Sequence, residues 1–146
     1  MRRTSSAEGG RRPGRRPRAP IGARSIRRIV QRVLRGERRK AVVSVTLVDE
    51  RQIRALNRHW LGRDALTDVI AFPLSTPGNA VLGDVYICVA AARLQAREFG
   101  VPLREELRRL VVHGTLHILG YDHPDGAGRE RSTMWRRQEH YVKALA

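Results

Sequence analysis

Three of the chain's five histidines fall within one short window, His113-Gly114-Thr115-Leu116-His117-Ile118-Leu119-Gly120-Tyr121-Asp122-His123. Imidazole nitrogens bind zinc at about 2.0–2.1 Å, and two histidines four residues apart on a helix share one face, one turn above the other. Gly120 stands where such a helix would end in a left-handed residue, a conformation glycine adopts without a side-chain clash. The chain can then turn His123 back toward the same point. The spacing therefore predicts one zinc ion held by His113, His117 and His123. Three protein ligands leave the fourth tetrahedral position open, which is the arrangement of catalytic rather than structural zinc.

The same spacing matches the zinc-protease pattern H-E-x-x-H-x-x-G-x-x-H at every ligand and at the glycine. Gly114, however, occupies the place of that pattern's general-base glutamate. A metal site is supported, and peptide hydrolysis by the usual route is not. Asp122 reads either as a carboxylate that orients a ligand imidazole or as a turn cap, and Tyr121 reads as packing. A second polar cluster follows a helix-like segment, where Asp64, Thr67 and Asp68 suit hydrogen bonds that fix a loop. Arg58 and Arg63 are candidates to meet phosphate, with a solvated surface charge as the plainer reading. His59 and His140 have no partner at ligand spacing and read as surface residues.

The elements that must position these residues show in the apolar pattern. Ile26, Ile29, Val30, Val33 and Leu34 recur at helical spacing and predict an amphipathic helix over 23–35 that ends at Gly36. Val42, Val43, Val45, Leu47 and Val48 form a strand-like run. Asp49 is a candidate N-cap for a helix bearing Ile53, Leu56 and Trp60 and closed by Gly62. A second strand is expected over Thr67–Phe72, stopped by Pro73, and a third over 80–88 with Gly83 as a bulge. Helices are expected over 90–99, 103–119 and 128–144, with Gly100 and Pro102 separating the first two. The expected class is α+β, a small mixed β-sheet packed with helices in a single domain.

Length and charge narrow the function. A chain of 146 residues suits one core. Its net charge of +15 is uneven, because residues 1–40 carry 15 Lys and Arg against two acids while 41–146 carry 14 against 12. Residues 1–20, rich in Arg, Gly and Pro, are expected to be a disordered extension that either attracts phosphate backbones or is simply solvated. No apolar run approaches a membrane span, and the start leads into Gly, Arg and Pro without the apolar stretch of a secretory signal. Cys88 is the only cysteine, so no disulfide partner is expected and a reducing cytoplasm fits.

Together these residues resemble the YbeY family of bacterial rRNA maturation factors. The anchors are H-G-T-L-H-I-L-G-Y-D-H at 113–123, L-N-x-x-W at 56–60, T-D-V-I-A-F at 67–72 and G-D-V-Y-I at 83–87, and the match runs from about Val42 to the last helix. The resemblance implies a YbeY-like metal-dependent hydrolase fold over 21–146, with zinc on His113, His117 and His123. It also implies a single-strand-specific endoribonuclease that acts on rRNA of the ribosomal subunit, in 16S 3′-end maturation and ribosome quality control. The sequence departs from the pattern at Leu61, where many members carry an arginine. Arg63, two residues on, or Arg58 is the candidate for that phosphate contact, neither being a residue-for-residue match. Two other readings are a metallopeptidase-like hydrolase, from the ligand spacing, and a non-catalytic ribosome-assembly factor with a structural metal, from Leu61.

Overall fold

Alternation along Val42–Val48 (β1) turns Val43, Val45 and Leu47 toward the main core and leaves Val42, Ser44 and Thr46 exposed. In the computed structural model, which describes residues 19–74, 78 and 80–146, this strand is one edge of a three-stranded sheet. The expected extension over 1–20 lies almost wholly outside those residues. The sheet order is β1-β3-β2, where β2 is Val69–Leu74 and β3 is Leu82–Cys88. β3 runs parallel to β1 and antiparallel to β2, so the sheet is mixed, as expected.

Among the described residues five α-helices pack on this sheet or on the helix that lies against it: α1 Ala23–Glu37, α2 Glu50–Leu61, α3 Val89–Phe99, α4 Leu103–Ile118 and α5 Thr133–Ala144. The main core joins Val30 and Val33 of α1, Val85 and Ile87 of β3, and Leu107, Val111 and Leu116 of α4. A smaller cluster on the other face joins Ile53 of α2 to Ile70, Cys88 and Ala91. Asp49 caps α2 as expected: its carboxylate accepts from the Gln52 N–H at 2.8 Å, and the Gln52 amide oxygen accepts from the Asp49 N–H at 3.0 Å. A reciprocal cap of this kind contributes roughly 1 kcal/mol. Among the described residues no helix is long and apolar enough to cross a membrane.

Four expectations need correction. α1 does not end at Gly36 but runs to Glu37, with Arg38 as its left-handed cap. Gly36 instead makes room for Tyr141, whose hydroxyl would lie 2.3 Å from a Cβ there. Pro73 does not stop β2, because that strand sits at the sheet edge, where a missing N–H need break no ladder bond. β3 has no bulge at Gly83, which keeps register with both neighbours. The last helix is split, since Ser132 caps α5 by accepting from the Trp135 N–H at 3.2 Å, after a separate 3₁₀ turn over Arg129–Arg131.

Gly83 and Gly114 mark where α4 crosses β3. A Cβ on Gly114 would lie 2.5 Å from Val85 Cγ1, and one on Gly83 would lie 2.2 Å from Ile118 Cδ1. Both are closer than carbon atoms pack, so each glycine backbone seats a side chain of the other element and α4 packs closely on β3. Gly114→Ala is expected to lower the unfolding free energy by about 1–3 kcal/mol, the usual cost of overpacking. In urea titrations the Gly114→Ala/Val85→Ala pair should lose less than the sum of its single variants. Strict additivity would contradict the contact.

Candidate metal centre

The end of α4 brings the three histidines together. Leu119 is the helix cap and Gly120 takes φ 99°, as the sequence predicts. The Gly120 N–H donates to the His117 carbonyl at 3.0 Å and the Tyr121 N–H to the Leu116 carbonyl at 3.1 Å. These nested bonds satisfy carbonyls that a helix end leaves open. They also fold the next residues back beside His117. The ligand atoms of His113, His117 and His123 all lie within 4.8 Å of one another.

Each ring is held in the tautomer that metal binding needs. His113 Nδ1 lies 2.6 Å from Gln138 Oε1, His117 Nδ1 lies 2.9 Å from the Tyr121 carbonyl, and His123 Nδ1 lies 3.0 Å from the Pro124 carbonyl. The Gln138 Nε2 donates to Glu139 Oε1 at 3.2 Å, which fixes the amide so that its oxygen faces His113. An oxygen of these types only accepts, so all three Nδ1 atoms donate and Nε2 is in each ring the nitrogen left for a metal. Neutral nitrogen donors of this number suit zinc.

The electrostatics agree. Burial, His113 being 5% exposed, pushes its pKa down to about 4 against the opposing bond from Gln138. Charges on His117, Arg129 and His123 push the same way. His117 is also lowered, chiefly by burial. Neutral rings at pH 7 have no proton to lose when a cation binds.

Two ion-pair networks hold the elements that carry these groups. On α4, Arg109 reaches Glu139 at 2.8 Å and Glu106 at 3.0 Å, tying α5 to α4 beside Gln138. At the end of α1, the buried Glu37 carboxylate accepts from the Tyr121 and Tyr141 hydroxyls and pairs with Arg137 at 3.2 Å. Burial alone would raise the Glu37 pKa, but these bonds with the charges of Arg137 and Arg39 hold it below the usual value. Tyr121 thus packs and also anchors the turn to α1.

The histidines line an open cleft of about 420 Å³ together with Asn57, Leu61, Arg63, Asp125 and Arg129. Arg63 is therefore at the site, exposed, whereas Arg58 is not among the lining residues. Asp122 takes the turn-cap role by accepting from the His123 N–H at 2.8 Å. Asp68 fixes its loop as expected, accepting from Gln95 at 2.8 Å and from Thr67 at 3.4 Å, while Asp64 is exposed. His59 packs edge-on against Trp60 and His140 against Tyr141, both apart from the cleft. Sequence reasoning missed Gln138 and Arg129. Gln138 had a signal, a glutamine on the buried stripe of Met134, Tyr141 and Val142; Arg129 had none.

Two outcomes follow from these contacts. Gln138→Leu should weaken metal binding by about 10–100-fold in chelator competition, while Gln138→Glu, which still accepts, should bind nearly as the parent. Equal affinities in all three would contradict the tautomer argument. The metal-free protein should also lose stability to urea as pH falls from 6.5 to about 4, because there the unfolded chain binds a proton that folded His113 refuses. Glu106, whose carboxyl burial raises, acts in the opposite direction over the carboxylate range. A flat profile across that window would contradict the burial argument.

Known proteins share this arrangement of sequence and fold. A family model described as "Endoribonuclease YbeY" matches residues 17–146. A curated relative of that name from Persephonella marina is 43% identical over 66% of this chain and 65% of its own length. Another of that name from Aquifex aeolicus is 44% identical over 68% of this chain and 67% of its own. The chain thus spans about two thirds of these relatives. The solution structure of TM1509 from Thermotoga maritima superimposes with a TM-score of 0.61 at 32% identity, covering 84% of this chain and 79% of that one. The chain belongs to the YbeY family.

Proposed function

We propose that residues 21–146 form the catalytic domain of a zinc-dependent, single-strand-specific endoribonuclease. Its substrate would be rRNA of the ribosomal subunit in the cytoplasm, in 16S 3′-end maturation and ribosome quality control. The observation that carries this reading is the convergence of three imidazoles, each with its Nδ1 proton held, in an open cleft of about 420 Å³. The names of the relatives support the reaction class.

His113, His117 and His123 would hold one zinc ion, which would supply Lewis acidity toward a phosphoryl oxygen and toward water. The rest falls to the chain's own groups. Gln138 and the Tyr121 and Pro124 carbonyls keep the rings oriented. Arg63 on the cleft wall offers charge to the strand. Of the two carboxylates on the wall, Asp68 is held by Gln95 and Thr67, so Asp125 is the one open to hold a proton from water or a ribose hydroxyl.

A metallopeptidase would need a carboxylate at 114, and that position faces Val85 without space for a Cβ. A ribosome-assembly factor with a structural metal is favoured by Leu61, an exposed cleft residue whose own side chain brings no charge to a phosphate. Cleavage of single-stranded RNA by the zinc-loaded chain decides between it and the enzyme. His117→Ala should lower the rate by more than about 100-fold, beyond the cost of losing an outer partner. Unchanged cleavage in that variant would overturn the metal's role, and no cleavage by zinc-loaded parent would favour the assembly factor.

A further inference from the structure

Arg129 Nε is the one buried side-chain polar atom without a hydrogen-bond partner among the described residues. A guanidinium keeps its charge at any biological pH and carries five donors in a rigid fork. A desolvated N–H without a partner in the protein is uncommon and calls for a functional explanation. The other well-placed cations are already engaged, Arg109 on Glu106 and Glu139 and Arg137 on Glu37.

The position of Arg129 is built by its loop. Gly126 and Gly128 take φ 77° and 91°, conformations that side chains rarely adopt. The Arg129 N–H donates to the Gly126 carbonyl at 3.2 Å, and the Ser132 hydroxyl donates to the Arg129 carbonyl at 2.7 Å. This places the side chain in the wall between two cavities. One is the three-histidine cleft; the other, about 720 Å³, is lined by Trp135, Gln95 and Glu106 among others.

Arg129 lines the same cleft as His113, His117 and His123, so its guanidinium and the three rings face a shared space. A fixed cation and a bound dication at neighbouring positions repel each other. An anion between the two turns that repulsion into attraction on both sides.

We propose that Arg129 is the phosphate-binding residue of the cleft, its guanidinium holding a phosphodiester of the bound strand beside the three histidines. This rests on the nuclease reading and adds the residue that seats the strand. Arg63, exposed, adds charge to the rim, and Arg129 adds position.

The test uses the zinc-loaded chain, Arg129→Gln and Arg129→Lys, each checked for an unchanged thermal midpoint. One probe is a single-stranded oligodeoxynucleotide, which offers the same phosphates without the 2′-hydroxyl. Arg129→Gln should bind it about 10-fold more weakly, with the slope of log K against log salt reduced by about 0.7, the signature of one lost phosphate contact. Arg129→Lys should recover the slope and part of the affinity. The second probe is inorganic phosphate, which should shift the histidine ring NMR signals of the parent and not those of Arg129→Gln. Equal salt slopes and equal phosphate shifts in parent and Arg129→Gln would overturn the proposal whatever the cleavage assay shows. A parent that takes phosphate through Arg129 but binds and cleaves no nucleic acid would uphold the anion site and overturn the strand as its ligand.

Discussion

A Cβ at position 83 or 114 would overlap Ile118 or Val85, so α4 and β3 meet through glycine on both sides. That approach puts α4 at the centre of the molecule, against the sheet, with α1 and α5 on its flanks. From Leu110 to Leu116 every residue of the helix is buried, polar ones included. A buried polar group must find a partner inside the protein. Thr115 donates to the Val111 carbonyl at 2.8 Å, Glu106 meets Arg109, and His113 meets Gln138. The need to satisfy His113 therefore fixes what α5 presents to α4. The imidazole that results is oriented and neutral.

The second constraint acts where α4 stops. A helix end beside a ligand histidine exposes carbonyls, and the nested bonds of Gly120 and Tyr121 satisfy two of them. The same turn sends the Tyr121 carbonyl to His117 Nδ1 and the Tyr121 hydroxyl to Glu37 on α1. One residue thus couples the ring of the second histidine to the packing of the first helix. His123 lies two residues further, within reach of the other two rings. Local backbone chemistry, more than any long-range contact, closes the triad.

Much of this is legible in the sequence because its causes are local. Histidines at i and i+4 followed by glycine encode a shared face and a left-handed stop, and alternation in Val42–Val48 encodes a strand. The misreadings have tertiary causes. Gly36 and Gly83 look like a terminator and a bulge, but each clears space for a side chain distant in sequence, Tyr141 and Ile118. Pro73 is tolerated because β2 is an edge, a fact of sheet order rather than of the dipeptide. Gly114 reads as a missing catalytic glutamate, yet its surroundings show a position where no side chain fits. Arg129 escapes sequence reasoning because its role comes from two glycine turns that place it in a wall between cavities.

Zinc K-edge X-ray absorption on the metal-loaded chain would show whether the end of α4 assembles one three-imidazole centre. Three imidazole nitrogens at about 2.0–2.1 Å, no sulphur, and two imidazoles in His123→Ala are expected. A thiolate from Cys88 in the coordination sphere, or fewer than three imidazoles in the parent, would contradict it.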